Sequence, residues 1–93
     1  MDNQKRIGFI GIIIEDLTKS SEVNRIIGSH SDMIRGRIGI PDHENRAGVI
    51  ALIISGTNDE IGGLSGKLGS ITGVQCRSLL AKPLLNDSAD KKL

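Results

Sequence analysis

Aromatic residues are almost absent from this 93-residue chain: Phe9 stands alone, with no tryptophan and no tyrosine. Stacking platforms for single-stranded nucleic acid need several aromatic faces, so that mode of binding is excluded. A formal net charge of +1 gives no basic surface for a phosphate backbone or an anionic membrane. The single cysteine, Cys76, excludes an internal disulfide and fits a reducing compartment, so a cytoplasmic location is expected. No apolar run is long enough to cross a bilayer, and the polar residues 1–6 do not read as a signal peptide. Two histidines, one cysteine and scattered carboxylates assemble no nucleophile–base set. The chain is therefore expected not to be an enzyme, and no metal or cofactor is assigned to it.

What is present is the composition of a folded domain, with 38% apolar and 25% charged residues. A single domain over residues 1–93 is expected, with an ordered core over about 5–84 and a frayed polar tail at 86–93. Residues 5–16, "KRIGFIGIIIED", are rich in β-branched isoleucine and read as a strand. The hydroxyls of residues 18–21 then offer caps for a helix through about Ser29, with Val23, Ile26 and Ile27 on one face. His30 falls just beyond it, as a partner for the helix end. In "MIRGRIGIP" the alternation puts Ile34, Ile38 and Ile40 on one side and Arg35 and Arg37 on the other, a half-buried strand ended by Pro41.

After a polar turn over 42–48 comes a second isoleucine-rich strand, "VIALIIS". Thr57 and Glu60 form a T-x-x-E capping box that opens a second helix, which Gly73 is expected to stop. "VQCRSLLAKP" reads as a last strand before Pro83. The order β-α-β-β-α-β predicts an α+β, ferredoxin-like fold: a four-stranded antiparallel sheet, first and third strands central, with two helices on one face.

Helices on one side should leave the other side polar, yet the central strands do not alternate. Ile10, Ile12 and Ile14 oppose Ile7, Phe9 and Ile13, while Ile50, Leu52 and Ile54 oppose Val49, Ala51 and Ile53. One set from each strand must lie on open sheet. A patch of that size rarely faces water in a monomer, so a homo-oligomer through the sheet face or its edge is expected.

The stretch "GTNDEIGGLSGKLGSITG", residues 56–73, comes close to a phosphate loop at Gly66-Lys67. Ile61 stands where the first glycine belongs and Leu68 where the hydroxyl belongs, so the nucleotide reading fails. As a helix, it gathers Ile61, Leu64, Leu68 and Ile71 on one stripe and Gly62, Gly66 and Gly69 nearly opposite. That glycine side is either a contact surface that something approaches closely or a poor helix held by its core.

Arg35 and Arg37 offer bidentate binding of a carboxylate or phosphate, against the plainer reading of a solvated edge pair. Asp16, Ser20 and Ser21, at the turn from first strand to first helix, form a second anion candidate with the helix amides. His43 in "DHEN" is either a metal ligand or part of a solvated turn, and Cys76 is core or interface.

The stretches "RIGFIGIIIED", "VNRII", "MIRGRIGIP" and "VIALIISGTNDEIGGLSGKLGSITGV" together resemble the family of iron-only hydrogenase system regulators over roughly residues 6–80. The resemblance implies an ACT-like ferredoxin fold, similar to the regulatory domain of nickel-responsive repressors. Domains of that kind assemble side by side or face to face and bind small ligands at their interfaces. No ribbon-helix-helix or helix-turn-helix segment is read here, so no direct binding of nucleic acid is expected. The reading is a non-enzymatic, oligomeric regulatory module, in transcription by its family, that senses a small ligand or contacts a partner protein. The alternative is an oligomeric adaptor with no small-molecule ligand.

Overall fold

Isoleucine sets the centre of the molecule. In the computed structural model, which describes residues 4–82, β1 (Arg6–Ile14) and β3 (Ala47–Gly56) pair antiparallel, Ile10 opposite Leu52 and Ile12 opposite Ile50. Branched side chains suit the pleated strand and lose little freedom there. β2 (Ile34–Asp42) flanks β3 and β4 (Val74–Leu80) flanks β1, so the sheet order is β2-β3-β1-β4. Helices α1 (Ser20–Gly28) and α2 (Asn58–Gly69) make the two crossovers. This is the α+β, ferredoxin-like βαββαβ arrangement that the sequence implies. Pro83 and the tail at 86–93 lie outside the described residues.

The core is a single layer between sheet and helices. Ile10, Ile12, Leu52 and Ile54 from the sheet meet Val23 from α1 and Ile61, Leu64 and Leu68 from α2, all almost fully excluded from water. Burial of each contributes roughly 1.5–3 kcal/mol. Cys76 packs against this cluster from β4, half-buried, with its sulfur 3.6 Å from the Ser65 hydroxyl.

Local starts and stops differ from the sequence reading in three places. The hydroxyls at 18–21 do not cap the first helix. Instead the Asp16 carboxylate accepts the Thr18 amide at 3.0 Å and caps a 3-10 turn, Leu17–Lys19, that runs into α1 with Lys19 at its start. The second helix ends at Gly69, with Ser70 as its cap; Gly73 lies beyond, at φ +85°, in the turn to β4. There its carbonyl accepts the amides of Glu15 at 2.8 Å and Asp16 at 3.2 Å, tying the exit of β1 to the start of β4. Pro41 does not end β2, which continues through Asp42. Proline is tolerated because β2 is an edge strand, where a missing N–H need not break a ladder.

The capping box is formed in full: Glu60 N–H donates to the Thr57 hydroxyl at 3.2 Å, and Thr57 N–H donates to the Glu60 carboxylate at 2.8 Å. At the other crossover, His30 Nδ1 lies 2.9 Å from the Ile26 carbonyl, the helix-end contact expected of it.

Candidate functional site

One irregularity decides which side chains meet. Between Ile34 and Gly36 the β2–β3 ladder shifts, with Ile34 opposite Ile54 but Gly36 opposite Ile53. The extra residue, Arg35, is a β-bulge, and every later side chain of β2 changes face. Ile34 packs against the core, whereas Ile38 pairs with Ala51 and Ile40 with Val49 on the open face. Arg37 pairs with Leu52 and so lies on the helix side. The single-sided grouping of Ile34, Ile38 and Ile40, with both arginines opposite, is therefore incorrect. An uninterrupted period of two cannot show a bulge.

The same shift separates the two arginines. Arg35 turns back and donates to the Asp32 carbonyl at 2.8 Å. Arg37 reaches across to α1 and donates to the Asn24 side-chain oxygen. Arg37 and Asn24 border a cleft of about 450 Å³ between the start of α1 and the β2–β3 hairpin, which Ser20 also lines. Ser20 and Asn24 stand four residues apart on α1 and share its face. Ile14, Leu17 and Ile50 supply apolar lining, and Gly39 leaves the β2 wall without a side chain.

Of the residues singled out for ligand binding, Ser20 and Arg37 converge here. Asp16, Ser21 and Arg35 do not line the cleft. Asp16 is occupied as a cap: hydrogen bonds from the Thr18 hydroxyl, at 2.6 Å, and from its amide hold the carboxyl below the usual range. Asn24, Leu17 and Arg46 were not singled out. For Asn24 the signal was its helical spacing from Ser20, visible only with Arg37 placed on the helix side.

Where the hairpin turns, His43 and Arg46 also line the cleft. Asp42 also borders the cleft, with its carboxyl held below the ordinary range, chiefly by the Asn45 side-chain amide, whose nitrogen donates at 2.8 Å. Two guanidinium groups against one carboxylate give the cleft an anion-favouring balance. Among the described residues, no three of histidine, cysteine, aspartate and glutamate gather as metal ligands. No helix among them is long and apolar enough to cross a membrane.

On α2, Gly62, Gly66 and Gly69 face open space: a Cβ added at any of them would meet nothing within 4 Å. The opposite stripe, Ile61, Leu64 and Leu68, is buried as the helical spacing implies.

TM1266 from Thermotoga maritima, described as uncharacterized, is 38% identical, with a TM-score of 0.80 over 85% of this chain and 100% of its own. A formyltetrahydrofolate deformylase from Pseudomonas putida KT2440 has a TM-score of 0.57 at 10% identity, over 78% of this chain and 28% of its own, and so shares the fold alone. No curated protein matches the chain. The TM1266-like family, described as "Iron-only hydrogenase system regulator, putative", matches residues 6–78. With the family pattern running from the first residue of β1 into β4, the chain belongs to the TM1266-like family.

Proposed function

We propose that this chain is a non-enzymatic regulatory module of the iron-only hydrogenase system, and that its cleft between α1 and the β2–β3 hairpin holds a small anionic ligand with an apolar part. The observation that carries this reading is the cleft itself. Apolar lining from Ile14, Leu17 and Ile50 is combined with polar groups from Ser20, Asn24 and Arg37 on two different elements. A concave apolar surface with a few convergent polar groups is the usual form of a small-molecule site. Arg37 is already oriented by Asn24, so less of its freedom remains to be lost when an anion binds. The module works in the cytoplasm and reaches transcription through a partner protein, not by holding DNA itself.

An intact native mass spectrum of protein purified without added metal or chelator tests this reading. A stoichiometric extra mass that is lost in Arg37→Ala supports it. An extra mass that survives Arg37→Ala, or none after incubation with millimolar carboxylate and phosphate panels, sinks it.

A second reading is favoured by α2. Its glycine side lies open along Gly62, Gly66 and Gly69, a surface that a partner's backbone can approach closely. On that reading the chain is an adaptor, and the replacement of Gly66 by tryptophan abolishes partner capture while the cleft stays intact.

A further inference from the structure

We infer that the open face of the sheet is covered by the same face of a second copy of this chain. The register lays that face out in rows. Gly36, Ile53, Phe9 and Leu79 form one, from β2 across to β4. Ile38, Ala51, Gly11 and Arg77 form the next, and Ile40, Val49, Ile13 and Gln75 the third. Ile38 is 64% exposed, Ile40 60% and Leu79 61%, although these are residue types that folding normally buries.

Three properties point to a second copy as the occupant. The first is size. Four strands about 4.8 Å apart and four rows about 7 Å apart along them, the fourth carrying Ile7 and Ser55 on the inner strands, make a face of about 500 Å² per copy. Two such faces bury about 1,000 Å², the lower bound for a specific interface. The second is relief. On the inner strands, large side chains in the outer rows flank a trough floored by Ala51 and Gly11, where a Cβ at Gly11 would meet nothing within 4 Å. Ridge and trough lie on one surface, so two identical faces can interdigitate about a two-fold axis, as sheets do in a sandwich. The third is charge. In these three rows Arg77 is the one ionisable group, and it lies on β4 at the edge of the face. The inner strands contribute none, so two copies bring no like charges together at the centre.

Sedimentation equilibrium between about 1 and 100 µM tests the inference on the full chain and on three variants, Ile38→Asp, Leu79→Asp and Lys67→Glu. The wild-type mass is expected at an even multiple of 9.9 kDa. Ile38→Asp and Leu79→Asp are expected to weaken the association at least 100-fold while retaining native far-UV circular dichroism. Both positions lie on edge strands, outside the buried core. Lys67→Glu, on α2 and away from this face, is expected to leave the mass unchanged. A wild-type monomer at 100 µM overturns the inference, as does an oligomer that survives both face substitutions. If either aspartate variant fails to fold, Ile38→Ser replaces it, and the wild-type mass still decides. Ligand retention is read separately by native mass spectrometry, so a dimer that takes up no carboxylate or phosphate from the panels would sink the ligand reading and leave this one standing.

Discussion

The guanidinium of Arg37, on β2, donates to the side-chain oxygen of Asn24, on α1, thirteen positions earlier in the chain. The contact exists because the bulge at Arg35 moves Arg37 to the helix side of the sheet. Arg37 is exposed, so its loss is expected to change stability by no more than about 0.5 kcal/mol. Its loss from a ligated anion should be far more visible. A hydrogen bond to a charged group is worth about 1.5–3 kcal/mol, so Arg37→Ala should weaken retention of an anionic ligand about 10- to 100-fold. Urea denaturation and native mass spectrometry of the same sample separate the two effects.

Gly73→Ala is expected to destabilise the fold by at least about 2 kcal/mol. Gly73 holds φ at +85°, and a Cβ there would lie 2.7 Å from the Asp16 Cβ. Both the backbone strain and the contact act against alanine. Urea melts compared with Gly62→Ala, where added carbon meets open space, isolate the effect.

The capping box gives stability a dependence on acid. Hydrogen bonds from the Thr57 amide and hydroxyl region hold the Glu60 carboxyl below its usual range in the folded chain. A carboxyl depressed on folding stabilises above its unfolded pKa, near 4.3. That contribution is lost as pH falls from about there through the lower folded value. Glu60→Gln should therefore narrow the difference in Tm between pH 7 and pH 3. An unchanged difference would show that Glu60 carries none of the acid sensitivity.

Gly66→Ala should stabilise the chain by about 0.8–1 kcal/mol, because the position is helical and its Cβ direction is open. Thermal unfolding gives the sign directly. Stabilisation with unchanged partner binding would mean that the glycine side of α2 is not a contact surface.

The central strands were the most legible part of the fold. Both faces of β1 and β3 carry isoleucine or similar residues, and the structure assigns the sets as their spacing implies, with Ile10, Ile12 and Leu52 inside and Ile7, Phe9 and Ile53 outside. The T-x-x-E box was equally direct, since both of its hydrogen bonds are local. The edge strand was not legible, because one residue out of step reverses the face of everything after it. The site suffered most: Ser20 and Arg37 meet only through that reversal, and Asn24 carries no signal without it. Asp16 shows a different limit. A carboxylate before a helix can be a ligand or a cap, and only the Thr18 hydrogen bonds identify it as the cap.

Ile40 and Val49 line the cleft and also belong to the open face of the sheet. Occupants of the two surfaces would then meet the same two residues from opposite sides of the sheet, a route by which their binding free energies would be coupled. Linkage makes that relation reciprocal: by whatever factor an occupied cleft alters self-association, self-association alters affinity in the cleft by the same factor. Under the two proposals together, the edge of one hairpin would connect what the molecule holds to how many copies of it stand together.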